Sequence, residues 1–295
     1  MGAFFASFSA IFTRLVTEAP PLAIGFYRLL FALPFFAIPC LIWHRKELLS
    51  ISKRMLAFSM LGGFFLAMHF FSWFTGVANT TVASAVVLCA MHPVFILLLS
   101  ALVFHEKTNC KVVIGVIVAL IGGLIITGGD YNFSKDAIFG DLMSLAAAFF
   151  LALYYYLGNR LRKRIHSVVY IFLVFISCLI VFAALILITK TPLTGYSIAD
   201  YFSIFAMSMF CQIGAHAVFN WCLGYVSPLY ISTTETGESI IATIIAVVLF
   251  AEYPAIWQII GGIITLLGLL YYNNQEARLD KMKNVDDSKY EIYEE

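Results

Sequence analysis

Phe104-His105-Glu106 closes one long apolar run, and Gly115 and Gly122 follow nine and sixteen residues after the glutamate. Phe250-Ala251-Glu252 closes another, with Gly261 and Gly268 at the same two distances. Between residues 104–122 and 250–268 seven positions are identical, at 104/250, 106/252, 114/260, 115/261, 117/263, 120/266 and 122/268. One plan is thus used twice, and both copies are written in hydrocarbon. Two halves built on a shared membrane plan are a usual sequence trace of a secondary transporter.

Composition sets the outer bounds. The 295 residues are 62% hydrophobic and 12% charged, with 28 Phe, too apolar for a soluble globular domain. The partner this implies is the lipid bilayer. A net charge of +1 supports no nucleic-acid partner. The six cysteines, Cys40, Cys89, Cys110, Cys178, Cys211 and Cys222, are scattered. They form neither a disulfide framework nor a zinc site. No Gly-x4-Gly-Lys-Ser/Thr run occurs, so direct drive by ATP is not expected, and no cofactor is called for.

Ten stretches are of membrane-spanning length: roughly 1–17, 20–43, 55–76, 79–104, 110–128, 137–157, 167–189, 200–223, 227–250 and 255–273. In lipid each must be a helix, because an isolated strand leaves its backbone groups unpaired. The expected fold is therefore all-α and polytopic, with ten transmembrane helices. Only thirteen residues precede Arg14, about 20 Å of helix, so the first span is short or the natural start lies upstream; the second is the expectation. It lacks the flanks of a signal peptide.

Charge orients the spans. With the N-terminus inside, the inner loops hold Arg45, Lys46, Lys53, Arg54, Lys107, Lys111, Arg160, Arg162, Lys163 and Arg164. The tail adds Arg278, Lys281, Lys283 and Lys289, so fourteen of eighteen basic residues lie inside. Only Lys135 and Lys190 fall in outer loops, while Arg14 and Arg28 sit in or at the edge of spans. Both termini are then cytoplasmic, in the cell membrane. Five spans per half reverse the entry of the second half, giving two inverted five-helix repeats, 1–128 and 137–273. Residues 274–295 read as a disordered cytosolic tail.

Seven residues turn a helix by about 700°, so each glycine pair lies on one face, suited to close helix packing. Glu106 and Glu252 end their runs at opposite membrane surfaces, as helix caps or ion-pair partners, with gating as the alternative.

The ionisable residues inside spans carry the functional reading. Glu235 and Glu238 share a face of Ser232-Thr-Thr-Glu-Thr-Gly-Glu-Ser239, which is seven polar residues and one glycine. Acidic groups in hydrocarbon normally line a polar cavity, bind an ion or relay a proton; the bland alternative is a carboxylate that ties helices together. On the alignment anchored at the glutamates, Glu238 corresponds to His92, beside a helix-kinking Pro93. Span three holds His69 and Trp73; span eight holds His216, Asn220 and Trp221. Imidazole can carry a proton and indole offers an amphipathic wall, although Trp also anchors at the interface. Arg28, inside span two, needs a partner or a wet cavity. A substrate carboxylate and Glu18 are both candidates.

These features in order (Arg28 after Ala-Ile-Gly-Phe-Tyr, His69-Phe-Phe-Ser-Trp73, Thr81-Val-Ala-Ser-Ala-Val-Val-Leu88, Pro93-Val-Phe with Glu106, Gly140-Asp141, and His216 with Asn220-Trp221) resemble the drug/metabolite transporter superfamily, in its EamA-type ten-helix branch. The match covers about residues 10–273. The resemblance implies a 5 + 5 inverted repeat, a central cavity open alternately to each side, and transport of small organic solutes, commonly outward. A proline often follows the glutamate of span nine in that family; here Ser239 stands there. The resulting expectation is not an enzyme but a secondary transporter, an exporter of a small organic solute such as an amino acid or metabolite, with the proton as candidate coupling ion. A passive channel or an intramembrane enzyme is the alternative. No His-Glu-x-x-His or Gly-x-Ser-x-Gly supports the enzyme.

Overall fold

The computed structural model describes the backbone of residues 2–104, 110–131, 134–226 and 228–291, so Glu106 lies outside the described residues. Every regular element among them is helical. The chain runs through α1 (Gly2–Ala6), α2 (Phe8–Leu15), α3 (Pro21–Trp43), α4 (Arg45–Ser50), α5 (Lys53–Asn79), α6 (Val82–Cys89), α7 (His92–Phe104) and α8 (Cys110–Tyr131). It continues through α9 (Lys135–Arg162), α10 (Ser167–Thr189) and α11 (Ile198–Met207), then a π-helical segment Ser208–Ala217. The last elements are α12 (Val218–Cys222), α13 (Pro228–Phe250) and α14 (Ile256–Glu291).

Among the described residues, eight helical stretches are long and apolar enough to cross a membrane. Two apolar helices are shorter, Gly2–Leu15 and Gly237–Phe250, where the sequence leads one to expect full spans. The first has few residues before Arg14, and the polar Ser232–Ser239 dilutes the start of α13. Helix α14 stays helical to Glu291, past residue 274, where the sequence reading expects an unstructured tail.

Local chemistry sets the helix ends. Ser52, Thr81, Ser134 and Ser197 accept backbone N–H bonds at the starts of α5, α6, α9 and α11. Lys190 and Ala251 take left-handed backbone conformations (φ 54° and 51°), turning the chain out of α10 and α13. Within the fourth apolar run α6 stops at Cys89 and α7 starts at His92. Pro93 is then the second residue of α7, in the first turn, where its missing N–H costs nothing. Helix α13, with Ser239 in place of a proline, runs unbroken.

Small residues decide which helices touch. A Cβ on Gly122 would lie 2.5 Å from the carbonyl oxygen of Gly261, and one on Gly261 2.6 Å from that of Gly122. Gly115 and Gly268 oppose each other in the same way, at 2.9 and 2.8 Å. Helices α8 and α14 are therefore antiparallel and in backbone contact, and the four glycines of the repeat are packing residues. Water supplies no force between helices in lipid, so such close approach is what holds them. Helices α5 and α9 meet similarly, Gly76 lying against Gly140 and Ser144. Helix α3 packs on α10, and α1 on the π-helical segment.

Both ends of the bundle are laced by side chains on backbone. At one end Asp200 accepts the N–H groups of Thr17, Glu18 and Ala19, and Glu18 accepts that of Ser197. At the other, Glu47 accepts the N–H of His166, and Asn159 donates to the carbonyls of Leu223 and Val226. The walls between them carry the apolar exterior that a bilayer requires. This is a multi-pass membrane protein.

Candidate functional site

Helices α1 and α2, α5, α6 and α7, α9, the π-helical segment, α12 and α13 surround a cavity in the middle of the bundle. His69, Trp73, His92, His216, Glu235 and Glu238 line it. Six ionisable or amphipathic residues from four separate apolar runs thus converge on one space.

At its centre His92 and Glu235 meet, 2% and 6% exposed, with Nε2 and Oε2 2.9 Å apart. The break between α6 and α7 makes this possible. It puts His92 at a helix start, where Nδ1 reaches the Cys89 carbonyl at 3.2 Å and Nε2 is turned to α13. The two atoms face each other as an ion pair rather than as a well-angled hydrogen bond. Tyr155 of α9 donates to the other oxygen, Oε1, at 2.5 Å. Glu235 is thus the hub of α7, α9 and α13. Glu238, one helical turn on, is half-buried, faces the cavity and makes no hydrogen bond among the described residues.

The opposite wall is built on α5. His69 Nδ1 lies 2.9 Å from the Ala147 carbonyl, which fixes Nδ1–H as donor and leaves Nε2 as an acceptor in the neutral ring. The His216 ring is 6.0 Å away. Trp73 Nε1 donates to Ser9 Oγ at 3.2 Å, and Phe70 and Phe219 complete an aromatic lining.

The remaining expected residues stand behind the cavity or away from it. Arg28 is fully buried and does not reach Glu18. Its Nε donates to Gln212 at 2.8 Å, Nη1 to Ser9 at 3.2 Å, and its guanidinium lies 4.3 Å over the Phe70 ring. It is held one layer behind the wall, with Ser9 shared between it and Trp73. Asn220 donates to the Tyr154 hydroxyl, and Trp221 is 50% exposed beside Tyr225. Neither lines the cavity, although both follow His216 closely in sequence.

Sequence reasoning did not single out Tyr155, Ser9, Ser239, Phe70 or Phe219. Ser239 lines the cavity and donates to the Val86 carbonyl at 3.0 Å, tying α13 to α6. Its position beside Glu238 was the available signal. No group of three or more His, Cys, Asp or Glu able to hold a metal occurs among the described residues.

Similar proteins agree with this architecture. A protein described as an uncharacterized transporter in Archaeoglobus fulgidus is 26% identical over 88% of this chain and 91% of its own length. Another so described, in Methanothermobacter thermautotrophicus, is 27% identical over 68% of this chain, which spans 60% of that relative. A crystal structure superposes with a TM-score of 0.66 over 94% of this chain and 96% of the other, at 20% identity, showing a shared fold. Residues 1–128 and 138–274 both match one family description, and the chain belongs to the EamA-like transporter family.

Proposed function

We propose that this transporter exports a small organic solute, an amino acid or related metabolite, by alternating access in exchange for protons. The observation that carries the reading is a central cavity holding His92, Glu235 and Glu238, on the two helical runs that the repeat alignment pairs. Two carboxylates share this space. When both are charged they repel, and either a proton or the ammonium group of a solute relieves that repulsion. Solute and proton then compete for one site, which is the elementary requirement for exchange. Trp73, Phe70 and Phe219 supply apolar surface for the rest of the solute.

Ten spans in two inverted repeats suit this mechanism. The α8–α14 contact supports them, since Gly115 meets Gly268 where Gly122 meets Gly261, as a two-fold axis in the membrane plane would require. The weight of Lys and Arg puts both termini in the cytoplasm, and the end bearing Arg14, Asp200 and Glu252 outside.

The test is flux in proteoliposomes with an imposed pH gradient and a pool of labelled amino acids and metabolites. One solute should accumulate and be lost when the gradient is collapsed. In Glu238→Gln, gradient-driven accumulation should fall by about tenfold or more, since the substitution removes an ionisable group from the cavity. Unchanged transport and unchanged pH dependence in that variant would rule out its proton role.

A further inference from the structure

One cluster lies outside the cavity yet touches both halves of the chain. Arg14, at the end of α2, donates from Nη2 to the Thr80 carbonyl at 2.6 Å. The same nitrogen lies 3.4 Å from Glu252 Oε2. Glu252 in turn accepts the N–H of Val82, the first residue of α6, at 2.6 Å. The guanidinium thus sits at the carbonyl end of α5 and the carboxylate at the amide end of α6, each where the helix dipole favours its charge. Ala251, with its φ of 51°, turns the chain after α13 so that Glu252 points back to the bundle.

The helices joined here are those that wall the cavity. Ser9 of α2, Trp73 of α5, Val86 of α6 and Ser239 of α13 all line it. Thr80 is seven residues beyond Trp73, about 10 Å along the helix, and Val82 is about 6 Å from Val86. Opening the cavity toward this end means parting α13 from α2 and α6, which breaks both contacts of Glu252. Both side chains are partly exposed, 28% for Arg14 and 22% for Glu252, so water can take their place as they separate.

We infer that Arg14 and Glu252 form a latch that closes the outer end of the cavity, clamping the α5–α6 turn of the first half to the α13–α14 connection of the second. The inference rests on the transporter reading for its purpose, but its test reads access rather than flux. Cys89 lines the cavity and serves as reporter in a chain whose other five cysteines are replaced by alanine. A membrane-impermeant maleimide is applied to right-side-out and to inside-out vesicles.

Glu252→Gln keeps an oxygen for the Val82 N–H and removes the charge; Arg14→Gln leaves that cap intact. Each should raise the outside labelling rate of Cys89 by about fivefold, as the open population grows when the closed form loses an ion pair. The double variant should match either single one, because both remove the same contact. Rates within about twofold of the parent, or effects that multiply in the double variant, would overturn the latch. So would failure of both single variants to yield folded protein, which would make the pair a structural cap. Faster labelling without any solute flux would keep the latch and count against the exchange reading.

Discussion

Position 235 shows how much one side chain decides in this molecule. Its carboxyl group is held by an imidazole and a phenol in a nearly dry interior, so it joins three helices at mid-bundle. Glu238 lies one turn away and is left facing the cavity. The two carboxylates read alike in sequence, and their roles separate only through what other helices bring to them. Outside the spans, His166 offers a titration that can be checked. Partial desolvation, then the charge of His44 stacked 4.1 Å away, and also Arg162, hold its pKa below the ordinary 6.5, against the opposing pull of Glu47. The unfolded chain then takes up this proton near pH 6.5, and the folded chain at lower pH. Protonation therefore favours unfolding, and stability is lost as pH falls below about 6.5. In detergent, the melting temperature should drop between pH 7.5 and 5.5, and His166→Gln should shrink that drop. An identical drop in both proteins would mean that other groups account for all of it.

Among the elements, the α8–α14 pair was the most legible in advance. Gly115, Gly122, Gly261 and Gly268 recur at fixed spacing, and they meet backbone to backbone. Any side chain at Gly122 pushes on the Gly261 carbonyl and on Thr265. Gly122→Val should destabilise by about 1–3 kcal/mol, the usual cost of overpacking, and lower the melting temperature by several degrees. Gly128, where an added Cβ meets nothing within 4 Å, is the control, and Gly128→Ala should be neutral or slightly stabilising. Equal effects at both positions would show that the glycines matter for backbone freedom rather than contact. The broken α6–α7 run was legible too, from Pro93, whereas the polar stretch Ser232–Ser239 suggested a locally irregular helix and α13 runs through it unbroken. The π-helical turn at Ser208–Ala217 was not legible. Its side chains bond the carbonyls of Arg28 and Phe5, 180 and 206 residues away in the chain, contacts that no local pattern records.

For the whole molecule, the asymmetry of basic residues makes an orientation testable. A cysteine at Lys190 should react with an impermeant reagent added outside intact cells, and one at Lys163 should not. The reverse result would invert the assignment of the outer end, and with it the direction in which the Arg14–Glu252 latch opens. The sequence by itself determined that the chain lives in a membrane, that it is helical, that its halves share a plan and where its buried ionisable groups lie along each run. Those are local properties: in hydrocarbon each segment must satisfy its own backbone and carry its own apolar surface. Which ionisable groups share a space was decided only by tertiary structure. It set Arg28 behind Phe70, turned Trp221 outward, gave Asn220 to Tyr154 and brought Tyr155 to Glu235. Helices in lipid choose their neighbours by close packing and by polar contacts between side chains far apart in sequence, and no periodicity within one helix records those choices.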